Sequence, residues 1–313
     1  MDTNKSIISL SHNDLDGIGC QVVIRWQYSD VYYKSISYNK ILDTLNELDS
    51  TLSYDRSKTQ VIISDLSFKE NEVVILKNIC EKYPTVKFIM ADHHLRPINV
   101  SNLYKSFTKN FIDLHTESKC SALILFYYYG INNTKIRDFV GLINSYDMWI
   151  TDANNFEESL LLNEIYESMS HQDFFSGVGL YGNLKEDITR KTDKITQKIQ
   201  SIKDGIECNE LIFVSDKAFI AHIDRYKSIV QYYLNRDISI IISSNYNFSI
   251  RLSNSLKDYE LIELRNSFFD FFNREGYEYY HAHKQVFGFN SNENKIIEDI
   301  DTFISFTAEL LTK

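Results

Sequence analysis

No apolar run in the 313-residue chain approaches the ~20 residues of a membrane span, which argues against a spanning helix. The start, Met1-Asp2-Thr3-Asn4-Lys5, lacks the charged and apolar regions of a secretory signal. The four cysteines, Cys20, Cys80, Cys120 and Cys208, are widely spaced with no CxxC, which excludes a thiolate zinc site. Free thiols in a reduced, cytoplasmic protein are the simplest reading. Positive charge is also short: the net charge is −10, which argues against binding long duplex DNA. An acidic chain can still bind a small anion if metal ions reverse the local field. Only two prolines occur, a compositional trait read as genomic bias. There is no internal repeat and no low-complexity tract.

The chain does have alternating apolar and amphipathic segments. Strands are expected at 6–10, 31–37, 60–63 and 86–90, and helices at 19–27, 38–48 and 70–82. This alternation implies βαβ units and a mostly parallel sheet flanked by helices. Helical periodicity follows at 118–129 and 136–146, then at 157–169 and 184–202. Strands are expected again at 211–214, 218–223, 238–243 and 248–252, with helices at 226–234, 259–273 and 296–311. The fold class is α/β, in three parts: an N-terminal domain over 1–154, a helical connector over 155–207, and a smaller α/β domain over 208–313.

Five acidic and histidine clusters punctuate these runs. They are His12-Asn13-Asp14-Leu15-Asp16-Gly17, Asp65-Leu66-Ser67, Asp92-His93-His94, Asp113-Leu114-His115 and Asp147-Met148-Trp149. Three follow expected strands, where parallel sheets bind ligands. Alternation in an extended loop would let His12, Asp14 and Asp16 converge, with Gly17 permitting a tight turn. A lone Asp at such a junction is also a common helix cap, and Asp65 taken singly reads that way. A His pair beside Asp suits an imidazole ligand oriented by a carboxylate. Asp147, set among aromatics, needs a partner: a metal would serve, and so would a salt bridge at the helix end. Asp113 and His115 fit either an outer supporting role or an exposed loop. Carboxylates with imidazoles suit Mn²⁺ or Mg²⁺. Two such ions can generate a hydroxide and stabilise a leaving oxygen.

With Asp92-His93-His94 the chain resembles the DHH phosphoesterases, whose first, second and fourth motifs are similar to the His12–Gly17 cluster, Asp65 and Asp147. The second half resembles that family's DHHA1 module through Ile250-Arg251-Leu252-Ser253 and the 281–289 segment, HAHKQVFGF. The resemblance extends over nearly the whole chain, and the small two-domain oligoribonucleases are the likeness it suggests. It implies two divalent cations, Mn²⁺ favoured over Mg²⁺. One would be held by His12, Asp14 and Asp65, the other by Asp16, Asp65, His93 and Asp147. His94 would touch the scissile phosphate or a bound water, with Asp92 orienting the neighbouring imidazole. Arg251 and His283 would grip a phosphate from the second domain. The family's glycines are replaced here by Tyr280, His281 and Ala282, so His281 would crowd the pocket or add a contact. The expected activity is hydrolysis of short single-stranded RNA or DNA oligonucleotides, or dinucleotides, to mononucleotides. Alternatives are a cyclic or linear dinucleotide or nucleoside bisphosphate phosphohydrolase, and a non-catalytic nucleotide sensor. No membrane partner is expected, and a homodimer is left open.

Overall fold

In the computed structural model, the described residues are 6–178 apart from 56, with 197, 210–213, 218–222, 230–232, 237–242, 248–253, 256–274, 277–282, 286–291 and 305–308. The chain divides into two compact units, 1–190 and 191–313. Among the described residues no helix is long and apolar enough to cross a membrane.

The first unit is built on a five-stranded parallel sheet. Its strands are β1 (Ile7–His12), β2 (Val31–Ile36), β3 (Gln60–Ser64), β4 (Lys87–Ala91) and β5 (Phe111–Asp113), in the order β2-β1-β3-β4-β5. β3 is buried along its whole length, and β1 and β4 at all but one residue each. They therefore read as continuous apolar runs. Ile8 and Leu10 of β1, Val61 and Ile63 of β3, and Phe88 and Met90 of β4 pack on one face. They meet Leu45, Leu48 and Leu52 of α2 (Ile41–Tyr54), and Val73, Leu76 and Ile79 of α3 (Glu70–Lys82). α1 (Leu15–Gln27) lies against β1 and packs with α5 (Ser121–Tyr128) and α6 (Thr134–Asp147). α4 (Ile98–Tyr104) precedes β5.

The boundaries of α3 match those read from sequence. The helix expected from Tyr38 instead opens on a 3-10 turn, Tyr38–Lys40, and α2 begins at Ile41. Lys40 has ψ near 2°, which breaks the α-helical path there. α7 (Phe156–Glu167) packs on α6, and α8 (His171–Val178) on α1. Both helices fall within the first unit as it divides.

The second unit holds a six-stranded mixed sheet. Its strands are β6 (Glu210–Phe213), β7 (Ala218–His222), β8 (Ile238–Ile242), β9 (Phe248–Leu252), β10 (Tyr277–Ala282) and β11 (Val286–Ser291), in the order β10-β11-β9-β8-β7-β6. Among these strands, only β7 and β8 pair in parallel. α9 (Asp258–Arg274) buries Leu261, Phe268 and Phe272, and the Phe272 ring lies 4.9 Å from that of Phe248 on β9. The helix expected over 184–202 and most of that over 226–234 lie outside the described residues, as does Cys208.

Candidate metal centre

The strand order places a topological switch between β1 and β3: the chain goes from β1 to one side, then returns to the other. Strand register aligns the residues at this edge. Ser11 faces Ser64, and Ser64 faces Ala91. The next residues, His12, Asp65 and Asp92, therefore stand side by side on the carboxyl edge.

Local structure then aims each group. Asp14 caps α1 by accepting from Gly17 N at 2.9 Å. A Cβ on Gly17 would lie 2.0 Å from His12 O, so only glycine lets the helix start so close to the strand end. Asp16, one residue into α1, is buried and accepts from Ser121 N (2.7 Å) and Ala122 N (2.9 Å), the amino end of α5. Asp65 has φ 57°, a left-handed bend that Asp tolerates better than most residues. Its N–H still donates to Ala91 O at 2.9 Å. Asp147 is the last residue of α6, where the helix dipole disfavours a carboxylate and favours a nearby cation.

Three groups of potential ligands converge among the described residues: His12, Asp14 and Asp65; Asp16, His93 and Asp147; and Asp65, His93 and His94. His12 Nδ1 lies 2.6 Å from Asp14 Oδ2 and 3.9 Å from Asp65 Oδ2. His93 Nε2 lies 3.1 Å from Asp147 Oδ2, 3.3 Å from Asp65 Oδ1 and 3.6 Å from Asp16 Oδ2. Octahedral ligands about 2.1 Å from a cation are about 3 Å apart, so the His93–Asp147 and His93–Asp65 separations fit donors around an ion. Asp65 Oδ2 is buried and makes no hydrogen bond among the described residues. The donors are carboxylate oxygens and imidazole nitrogens. The Cys20 and Cys120 thiols are pushed well above their usual range, by burial and then by the Asp16 charge. They are poor ligands in that state. The residues present fit a hard divalent cation.

The electrostatics agree. Burial, then the charges of Asp14, Asp16 and Asp147, push the Asp65 carboxyl well above its usual range. Burial and the Asp14 charge raise Asp16 to about 6, against the two α5 amides. Burial, then the His94 charge, lowers His93 to about 3 and keeps it neutral, as a ligand must be. Burial would lower His12, but Asp14 and Asp16 outweigh it and its pKa is raised. Such crowding of carboxylates favours a bound cation.

Asp92 and His94 stand beside this set. Asp92 Oδ1 lies 2.7 Å from His94 Nδ1, and Arg96 reaches Asp92 Oδ2 at 3.4 Å. Burial would raise Asp92, but the charges of His94 and Arg96 bring it down to about 2. Arg96 also donates to Asp113 Oδ2 at 2.7 Å, and His115 Nε2 lies 2.8 Å from His94 O. Asp113 and His115 thus belong to the support of this site. Sequence reasoning missed Arg96, although its position four residues after Asp92 was a signal. It also missed Tyr166, whose hydroxyl donates to Asn13 O at 2.7 Å.

In the second unit, Arg251 lies on β9, half-buried, paired with Ser239 and Val286. His281 lies on β10 opposite Gly288, with a register shift between Tyr279 and His281. His283 lies outside the described residues.

No family model matches the chain. It is 26% identical over 168 residues to a 3',5'-cyclic-nucleotide phosphodiesterase of Helicobacter pylori, covering 48% of this chain and 46% of that protein. It is 26% identical over 178 residues to the oligoribonuclease NrnB of Bacillus subtilis, covering 52% of this chain and 42% of that protein. Both relatives are named for phosphodiester hydrolysis or for degradation of oligoribonucleotides. The chain spans less than half the length of the curated relatives it matches. The likeness in fold extends further than the sequence match. An uncharacterised Helicobacter pylori protein of known crystal structure aligns at a TM-score of 0.51 and 16% identity, covering 99% of this chain and 100% of that one. The pGpG-specific phosphodiesterase PggH of Vibrio cholerae aligns at 0.52 and 12% identity, covering 98% and 99%.

Proposed function

We propose that this protein is a divalent-cation-dependent phosphodiesterase that hydrolyses short oligonucleotides to mononucleotides. The observation that carries the reading is the convergence of two ligand groups, linked by the 3.3 Å approach of Asp65 Oδ1 to His93 Nε2. His12, Asp14 and Asp65 would hold one cation, and Asp16, Asp65, His93 and Asp147 the other. The mixture of imidazole and carboxylate favours Mn²⁺ over Mg²⁺. Such a pair, when bound, supplies Lewis acidity towards a phosphodiester and lowers the pKa of water.

The chain's own groups do the rest. Asp92 holds the His94 ring so that Nε2 is the atom offered to the substrate phosphate. Arg251 suits a phosphate through its guanidinium fork, with His281 and His283 as further donors. A net charge of −10 suits a short substrate that needs no extended basic track. Cys20, Cys80 and Cys120 are free and buried, in keeping with a reducing, cytoplasmic setting.

A second reading is hydrolysis of a cyclic mono- or dinucleotide, and the name of the Helicobacter pylori relative, a 3',5'-cyclic-nucleotide phosphodiesterase, favours the mononucleotide form. One experiment separates the two. The Mn²⁺-loaded protein is given end-labelled RNA of 2 to 10 nucleotides, a 3',5'-cyclic mononucleotide and cyclic dinucleotides. Release of mononucleotides from the shortest RNAs is expected. Cleavage of the cyclic compounds alone favours the second reading, and no cleavage of any substrate sinks both in favour of a nucleotide-sensing protein.

A further inference from the structure

Tyr38 belongs to none of the acidic and histidine clusters, yet it meets an imidazole in two of them. Its hydroxyl lies 3.1 Å from His94 Nε2. Its ring centroid lies 4.6 Å from that of His12, and the His94 ring stands edge-on to it at 6.2 Å. His12 pairs with Ile36 in the sheet, so Tyr38 comes two residues past that partner, at the same carboxyl edge. The turn that carries it is fixed by Lys40 N donating to Ser37 O at 2.8 Å. Ser37 Oγ also donates to Asn39 Oδ1 at 2.7 Å.

His94 is therefore held at both ring nitrogens. Nδ1 faces the Asp92 carboxylate at 2.7 Å, and an ionised carboxylate only accepts, so Nδ1 carries the hydrogen. Nε2 takes a single in-plane partner, here the Tyr38 hydroxyl, which a substrate phosphate would have to displace. A phenol both donates and accepts, so Tyr38 can partner Nε2 in either protonation state. The His115 ring meets the His94 carbonyl, its Nε2 lying 2.8 Å from that oxygen.

We propose that Tyr38 is a positioning residue: its hydroxyl holds the direction of His94 Nε2 until the scissile phosphate takes its place, and its ring buttresses His12. The link to the phosphate rests on the phosphodiesterase reading; the hold on the imidazoles does not.

The test compares the full chain with Tyr38→Phe, which removes only the hydroxyl, and Tyr38→Leu, which also removes the ring. Histidine-ring ¹⁵N spectra of the metal-free proteins, Mn²⁺ calorimetry, and kcat and KM are measured on each. In Tyr38→Phe the His94 Nε2 resonance should move and Mn²⁺ affinity should stay within about twofold. Its kcat should fall roughly 10–100-fold, the usual effect of losing such an outer partner, with little change in KM. Tyr38→Leu should in addition weaken Mn²⁺ binding. An unmoved His94 resonance, an unchanged kcat, or a loss of Mn²⁺ affinity in Tyr38→Phe as large as the loss of kcat would each overturn the proposal. If the wild type cleaves nothing, the phosphodiesterase reading fails, and the resonance alone decides whether Tyr38 holds His94.

Discussion

Asp147 Oδ2 lies 3.1 Å from His93 Nε2, which joins the carboxyl end of α6 to the loop after β4. Neither group is comfortable alone: one is an acid at the wrong end of a helix, the other an imidazole buried and neutral. A shared cation would resolve both.

Asp65→Asn should reduce hydrolysis to near background and lower the number of Mn²⁺ ions bound, because Asp65 joins two of the ligand groups. Metal-free stability should move the other way. The folded-state pKa of Asp65 is raised, so the ionised group costs stability once pH exceeds its unfolded value near 3.8. With chelator at pH 8 the variant should melt higher than the wild type, by roughly 2–4 °C for each kcal/mol relieved. The gain should vanish towards pH 3, and Mn²⁺ should reverse the order. Thermal melts with and without metal check this.

Trp149→Gly should destabilise despite removing strain. Trp149 sits at φ 52° just past α6, where Trp149 N donates to Tyr146 O (3.1 Å) and Ile150 N to Ser145 O (2.9 Å). This is a Schellman motif at a position that usually takes glycine. Relief of the left-handed backbone is worth about 1–2 kcal/mol. The buried indole, 4.9 Å from the Phe156 ring, is worth about 3–5 kcal/mol. Packing wins, so urea unfolding should show a net loss of about 1–4 kcal/mol.

Gly17→Ala should damage the site more than its size suggests. The added carbon meets His12 O at 2.0 Å, and that atom is backbone, so β1 and α1 must separate. A loss of roughly 1–3 kcal/mol is expected, as for overpacking elsewhere. Mn²⁺ affinity should fall with it, measured by calorimetry.

Glu164 tests pH dependence away from the metal ligands. It is buried on α7, and burial with the Glu167 charge raises it to about 7 from 4.5. A raised carboxyl stabilises fully below pH 4.5, and the contribution fades as pH climbs through 7. Glu164→Gln should therefore be more stable than the wild type at pH 8, by up to ~3 kcal/mol, and indistinguishable near pH 4. Equal urea midpoints at both pH values would count against it.

The sheet edge was legible in the sequence because buried parallel strands are apolar throughout and their ends are marked by abrupt acidic residues. His12, Asp14, Asp16, Asp65 and His93 stood out after expected strands, Asp147 at the end of an expected helix, and the family resemblance joined them into one set; the structure brings them together. What escaped was support whose signal is not periodic. Tyr38 sits in a 3-10 turn that looked like the first turn of α2. Asp113 and His115 gain their meaning only from Arg96 and His94, across β5, a three-residue strand too short to show alternation. β10, YEYYHA, sets Glu278 and His281 among its tyrosines, and β11, VFGFNS, ends on two polar residues, so neither reads as a core strand.

The residues that could hold the proposed cations run from 12 to 147, drawn from β1, α1 and α6 and from the turns before α1 and after β3 and β4. During synthesis the first trio is complete once β3 has emerged, but the second waits for the last residue of α6. A half-made chain would thus carry a partial chelate without the full set. Hydrolytic competence would then arrive as one late event, after the parallel sheet has closed.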